Sequence, residues 1–462
     1  IDREKEYILQ NIRATEEAYN INVENKEIAK GTDITSEKIK KDSELIEKLP
    51  MVTPDVVKET LENNTDNKEK KSLYKYGNPN LVKNGNAYDY LTTREIDDKD
   101  KTLTNKIYKY THGNFGILTS SSKVNKNGYL LNVSEKFEGQ ELNGTKIKEP
   151  RLYYGENTNS NAIVNAKDIK EYDYLSVAVK LNSPYIETYR KGGIKLSLLE
   201  RIALAITKGS TELIFNNNIV ENTKVLLNRQ IIERAKKILP NIRYDKDPYL
   251  VTKDDGGLAW VIDGYTVTSR YPYSQKVPIE AEQGGKERIN FIRNSVKVVI
   301  DAYNGTVDFY VTDTTDPFIS TIMKTYPTLF KNYNELSENI KKQMRYPQYL
   351  FDIQAKVLTT YHNSDVDNIY RADDRWEVAE VSGSGTRSST SMYTLLKKGD
   401  ELKPAIITTY TPEKRKNIVS YLVGQTENGA NKLTMYRYNE KSELSLSFID
   451  TQIEKDEKVQ KE

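Results

Sequence analysis

A chain of 462 residues with no cysteine and only two histidines, His112 and His362, must hold itself together without covalent cross-links. Disulfides, cysteine-based zinc sites, Fe–S clusters and thiol catalysis are excluded, as is a three-histidine metal centre. Any cation would be a hard one, Ca²⁺ or Mg²⁺, held by oxygens. The pattern calls for no other cofactor. Stability must come from buried apolar surface, and a hydrophobic content of 37% over this length suits about three folding units. Lys plus Arg (69) balances Asp plus Glu (67), so the net charge is only +2. Without a global positive field, nucleic acid is not an expected partner. The lack of cysteine also favours an extracytoplasmic setting in a cell that does not use disulfides.

No window reaches the length of apolar sequence that a transmembrane helix needs. The chain starts at Ile1 with neither an initiator Met nor a signal sequence and stops on charged residues, which reads as a soluble piece of something longer, truncated at its C-terminus.

The expected fold class is α+β, with mixed or antiparallel sheets, hairpins and amphipathic helices. Residues 1–72 read as a helical arm. In it, Ile8, Ile12, Thr15 and Tyr19 form one narrow stripe, and Thr53-Pro54 marks a helix start. An α+β region, 73–149, precedes a central α+β unit, 150–381. That unit has strands at Ala162–Val164 and Leu175–Val179, a capping box at Ser197-Leu-Leu-Glu200 ahead of Leu198, Leu199, Ile202 and Ile206, and a helix over Thr223–Leu239 ended by Pro240. A hairpin over Tyr249–Val267 turns on Asp254-Asp-Gly-Gly257. Helices are expected around Phe318–Phe330, Asn334–Met344 and Pro347–His362. Gly/Ser-rich residues 382–391 read as a flexible loop. The remainder, 392–462, is β-rich, with strands at Tyr393–Leu396, Ile406–Tyr410, Ile418–Val423 and Leu433–Tyr438.

Motifs that carry chemistry are scarce. Gly383-Ser-Gly385 lacks the third glycine and the strand–helix frame of a dinucleotide site. There is no Walker A sequence, nucleophile elbow or kinase set. The 33 tyrosines against 9 phenylalanines supply rings suited to half-wet surfaces, whether for stacking on sugars, for a protein interface or for the rims of small cores. Candidate binding residues are Tyr110, His112, Arg270, Tyr271, Arg293, Asn294 and His362. Each histidine could equally be a structural hydrogen bonder.

The Asn304-Gly305 pair between two β-branched runs predicts a two-residue hairpin loop. Its register pairs Ile300 with Phe309, puts Val298, Ile300, Ala302, Val307, Phe309 and Val311 on one apolar face, and sets Asp301 directly opposite Asp308. Two facing carboxylates make a candidate Ca²⁺ or Mg²⁺ site, with solvent exposure as the plainer reading.

Six separated stretches carry a resemblance. They are Tyr7–Tyr19, Tyr110-Thr-His-Gly113, Arg151-Leu-Tyr-Tyr-Gly-Glu156, Asp263-Gly-Tyr-Thr266 with Arg270-Tyr-Pro-Tyr273, Ile292-Arg-Asn-Ser-Val-Lys297 with Asp301-Ala-Tyr303, and Arg345-Tyr-Pro-Gln-Tyr-Leu-Phe351 with Tyr361-His362. Together they resemble the soluble domain of uncharacterised protein family 0182, bacterial proteins with several transmembrane helices and a large extracytoplasmic domain. The resemblance implies a cell-membrane parent, with this part outside the cytoplasm and its own transmembrane portion and the bilayer-proximal surface as partners. It brings no catalytic residues. Two functions remain open: a non-catalytic module that binds an envelope glycan or assembles with a protein partner, and an envelope-polymer enzyme using paired carboxylates, with Ca²⁺ or Mg²⁺ as the admissible metal.

Overall fold

Strands Leu258–Thr268 and Phe291–Asp301 form the middle of the molecule, and almost every residue in them is buried whichever face it points to. Both faces of their sheet are therefore covered, and even charged side chains within them, Asp263, Arg293 and Lys297, are buried. The computed structural model describes residues 3–28, 35–63, 73–126, 130–134, 139–173, 185–186, 189–195, 197–208, 217–282, 284–383, 386–389, 391–399, 401–427, 429–439, 451–453 and 455–456. The predicted strand at Leu175–Val179 lies outside them.

Three six-stranded sheets organise these residues, giving the expected α+β class. The N-terminal sheet is built on the antiparallel pair Ala87–Ile96 and Gly113–Val124. The central sheet adds Arg243–Tyr244, Tyr249–Thr252, Val307–Val311 and Phe330–Asn332 to the two middle strands. In the C-terminal sheet the predicted strands appear as Met392–Lys398, Glu401–Pro412, Ser420–Glu427 and Ala430–Tyr438.

Period-two alternation divides the central strands between cores. Trp260, Ile262, Val296, Val298 and Ile300 face one, packed with Leu91, Phe115 and Leu118 of the N-terminal sheet. Ala259, Val261 and Val299 face Leu336, Ile340 and Met344 on the other side. A further core joins Tyr265, Phe291 and Ile292 to helix Gln348–Tyr361 and the C-terminal sheet. Helix Lys5–Ala18 docks there through Ile12, Ala18 and Tyr19, with Ile8 half-buried beside them, so the narrow stripe does bury itself.

Several elements differ from the expectation. Val23–Ile28, read as part of a helical arm, is a strand pairing parallel with Ala430–Tyr438. Its exposed Glu24, Lys26 and Glu27 guard a sheet edge. Val225 and Leu226 leave the predicted helix to form a short strand with Ala162–Val164. Asn228 at φ 51° turns the chain, and the helix starts only at Ile231. Residues expected as a flexible loop include a two-stranded hairpin pairing Glu380–Gly383 with Thr386–Ser389. The Ser197–Glu200 capping box is present, yet Leu198 (62%), Leu199 (79%) and Ile206 (76%) of its helix stay exposed.

The Asn304-Gly305 hairpin has the expected apolar face but a register two residues away. Ile300 pairs with Val307, Val298 with Phe309, and Val299 with Asp308. The reason is a side chain. Asp301 Oδ1 accepts from the backbone N–H groups of Tyr303 (2.9 Å) and Asn304 (2.8 Å), which lengthens the loop. A shift of two keeps each residue on its face, so the core pattern survives while the carboxylates part.

Candidate functional site

Asp301 and Asp308 are thus not opposite one another. Asp301 pairs with Lys253 (2.8 Å) and Asp308 with Lys331 (2.8 Å), each a separate ion pair. Among the described residues no group of three acidic or histidine side chains is arranged to hold a metal ion.

The histidines are far from each other in role. His112 is buried, with Nε2 3.3 Å from Asp173 Oδ1 and Nδ1 3.1 Å from Thr111 Oγ1. Asp173 also takes the Arg151 fork, and the Tyr153 ring packs on the imidazole at 4.8 Å. Burial pulls the His112 pKa down, but hydrogen bonds to Asp173 and Glu171 outweigh it and the net shift is upward. Tyr110 lies alongside, its ring against Tyr172. His362 stacks on Trp376 at 3.6 Å, and burial lowers its pKa despite Asp374.

Arg293, Tyr271 and Asn294 act as straps. Arg293 donates to Asp313 (2.8 Å) and to the Glu17 carbonyl (2.6 Å), and the Tyr271 hydroxyl donates to the Glu17 carboxylate (2.9 Å), so both hold the first helix. Asn294 donates to the Gly264 carbonyl and accepts from Asn431, tying the central to the C-terminal sheet. Arg270 is exposed in the segment that follows strand Leu258–Thr268. Tyr110 and His112 line one small pocket together, whereas Arg270 and His362 line neither that pocket nor the larger cleft at the sheet junction.

What does converge lies where the central and C-terminal sheets meet. A cleft of about 270 Å³ is lined by the end of the edge strand (Arg243 to Asp247), Asp263, Glu280 and Glu282, Arg345 to Tyr349, Asp352 and Tyr393. Asp263 reaches it from the middle of the sheet, in an ion pair with Lys297 on the neighbouring strand. Asp245 accepts from the Tyr265 hydroxyl (2.5 Å) and from the Asp247 backbone N–H (2.9 Å). Burial, and then the nearby Asp263 charge, push the Asp245 carboxyl up to about 6.

Arg345 is the keystone. It donates to Asp247 Oδ2 (2.6 Å), bonds Asn80 of the N-terminal sheet, and lies over the rings of Tyr249 (4.6 Å) and Tyr393 (5.1 Å). Tyr393 in turn donates to the Tyr346 carbonyl (2.7 Å). Asn78 donates to Asp247 (3.3 Å), and its backbone N–H to Glu156 (3.1 Å), so the cleft is backed by a second acid pair, Glu156 and Glu95. Glu95 accepts from the N–H groups of Glu156 and Asn157 and from the Thr158 hydroxyl. Burial and Glu95 push Glu156 up to about 8.

Chemically, the cleft offers carboxylates, one of them close to exchanging its proton near neutral pH, beside the rings of Tyr244, Tyr349 and Tyr393. Neither Asp245 nor Asp247 stands out in the linear sequence. The signal that was available is that Asp263-Gly-Tyr-Thr266 and Arg345-Tyr-Pro-Gln-Tyr-Leu-Phe351, two of the stretches carrying the family resemblance, both supply the cleft.

A family model described as "Uncharacterised protein family (UPF0182)" matches residues 1–462. A UPF0182 protein of Clostridium tetani is 36% identical over 394 residues, covering 81% of this chain and 42% of the relative. One from Caldicellulosiruptor saccharolyticus is 32% identical over 477 residues, covering 99% and 51%, and one from Desulfitobacterium hafniense is 30% identical over 487 residues, covering 100% and 49%. The chain spans about half the length of the curated relatives it matches. No solved structure matches it significantly.

Proposed function

This chain belongs to uncharacterised protein family UPF0182, and from that premise we propose that it is a ligand-binding module on the extracytoplasmic side of a bacterial membrane protein, with an envelope glycan as its ligand. The observation that carries the reading is the cleft: a concavity of about 270 Å³ at a junction of two sheets, walled by tyrosines and edged by fixed carboxylates. Sugars are held in this manner, ring faces on aromatic rings and hydroxyls donating to carboxylates. The absence of cysteine supports the extracytoplasmic setting. No helix among the described residues is long and apolar enough to cross a membrane, so the reading places the membrane portion in the half of the relatives' length outside this chain.

Thermal shift and calorimetry against cell-wall glycans test the binding. Saturable binding that Tyr349→Ala weakens is expected, and no binding to any glycan would overturn it. This chain has no thiol, so Lys416→Cys in the membrane protein, read against the unaltered protein, reports the side of this domain. Labelling by an impermeant maleimide in intact cells is expected, and labelling only after lysis would refute the setting.

A second reading is favoured by Asp245, whose raised pKa lets it carry a proton at the cleft. In that reading the module also cleaves its glycan, with Asp245 as the acid. Release of reducing ends by the chain, lost in Asp245→Asn, is its expected mark, and intact glycan after prolonged incubation would dismiss it.

A further inference from the structure

We propose that the cleft takes a ligand bearing an ammonium group, which pairs with the Asp245 and Asp352 carboxylates beside the tyrosine wall. The inference rests on the reading of the cleft as a ligand site and adds the ligand's charge.

The charges around the cleft are unevenly matched. Arg345 is paired with Asp247 at 2.6 Å, Arg243 with Glu287 at 2.7 Å, and Asp263 with Lys297. Asp245 and Asp352 have only neutral donors among the described residues. Asp245 has the Tyr265 hydroxyl and a backbone N–H, and Asp352 has Ser391. Both line the cleft, and Asp245 is only 8% exposed. A buried carboxylate without a cation is costly, and the same low dielectric makes a cation beside it worth more than in water. Burial raises the pKa of both groups, and the Asp263 charge adds to it at Asp245; the nearby Arg345 is already bonded to Asp247. Glu280 and Glu282 at the rim are matched by Lys246 (3.9 Å) and Lys236 (3.7 Å), so among the described residues the carboxylates of the cleft without a cation partner are Asp245 and Asp352, and tyrosine ring faces attract cations. A phosphate or carboxylate ligand would meet repulsion in the same place.

The test compares, by calorimetry on the full 462-residue chain at neutral pH, a glucosamine trisaccharide, its N-acetylated counterpart, and spermidine as an amine without a sugar. Binding of the free-amine sugar at least about tenfold tighter than the acetylated one, and weakened to a similar degree by Asp352→Asn, is the expected result. Equal binding of the two sugars would overturn the ammonium inference and leave the glycan reading standing. Binding of spermidine alone, lost in the same variant, would uphold the ammonium site and remove the glycan reading. No binding of any of the three would overturn both. Asp245→Asn is the second variant. Because the comparison among ligands uses the unaltered chain, it holds even if that variant fails to fold.

Discussion

Lys297 and Asp263 face one another across the two middle strands of the central sheet, an ion pair whose side chains are only 1% and 3% exposed. A pair so deep gives little net stability, because desolvation offsets attraction, but each member depends on the other. Lys297→Met leaves a buried carboxylate at the floor of the cleft. A loss of about 3–5 kcal/mol in denaturant unfolding is expected, with much of it recovered in the double variant Lys297→Met/Asp263→Leu. If the single and double variants were equally unstable, the pair would not be coupled.

Asp245 makes stability depend on acidity. Its folded pKa, about 6, exceeds the ordinary 3.8. The folded state therefore prefers the protonated carboxyl, and the stability this contributes is full below 3.8 and lost as pH rises through about 6. In Asp245→Asn the amide can still serve Tyr265 and the Asp247 N–H as donor and acceptor. Its stability relative to the parent should grow by about 3 kcal/mol across that window. Parallel curves for the two proteins would contradict this.

The second acid pair is built on a glycine. A Cβ at Gly155 would stand 2.1 Å from Glu95 Oε2, and Glu95 cannot retreat because three donors hold it. Gly155→Ala should cost about 3 kcal/mol in thermal or denaturant unfolding. Glu156→Gln should be tolerated at neutral pH, because Glu156 keeps its proton up to about 8. The parent's stability relative to Glu156→Gln should fall as pH rises from 4.5 to about 8.

Only two histidines are present, so both can be followed individually by NMR. His112 should titrate above 6.5 because Asp173 and Glu171 hold its charge, and His362 below 6.5 because burial removes solvent from it. The His112 contribution to stability is full below 6.5 and lost as pH rises through its folded pKa. Titration of both rings at 6.5 would show neither environment to be as described.

Local chemistry was readable where neighbours in sequence decide it. Thr53-Pro54 opens helix Pro54–Asn63, Asp254-Asp-Gly-Gly257 joins Tyr249–Thr252 to Leu258–Thr268, and Ser197 and Glu200 cap each other. Alternation along Phe291–Asp301 named the apolar face correctly, because side-chain direction in a strand depends only on parity. Composition excluded thiol and histidine-rich chemistry outright, and six short stretches were enough to point to the family.

The tertiary structure decided what depends on partners distant in the chain. Val225 and Leu226 are strand rather than helix because Ala162–Val164 offers them a ladder, and Val23–Ile28 is strand because Ala430–Tyr438 does. The hairpin register shifted by two because one aspartate bonded its own loop, an energy too small to read from propensities. The cleft is the clearest case. Arg345 is 98 residues from Asp247 and 265 from Asn80, and it bonds both. No periodicity links such positions, so only the packing of three sheets brings an ordinary arginine, two uncompensated aspartates and a wall of tyrosines into one site.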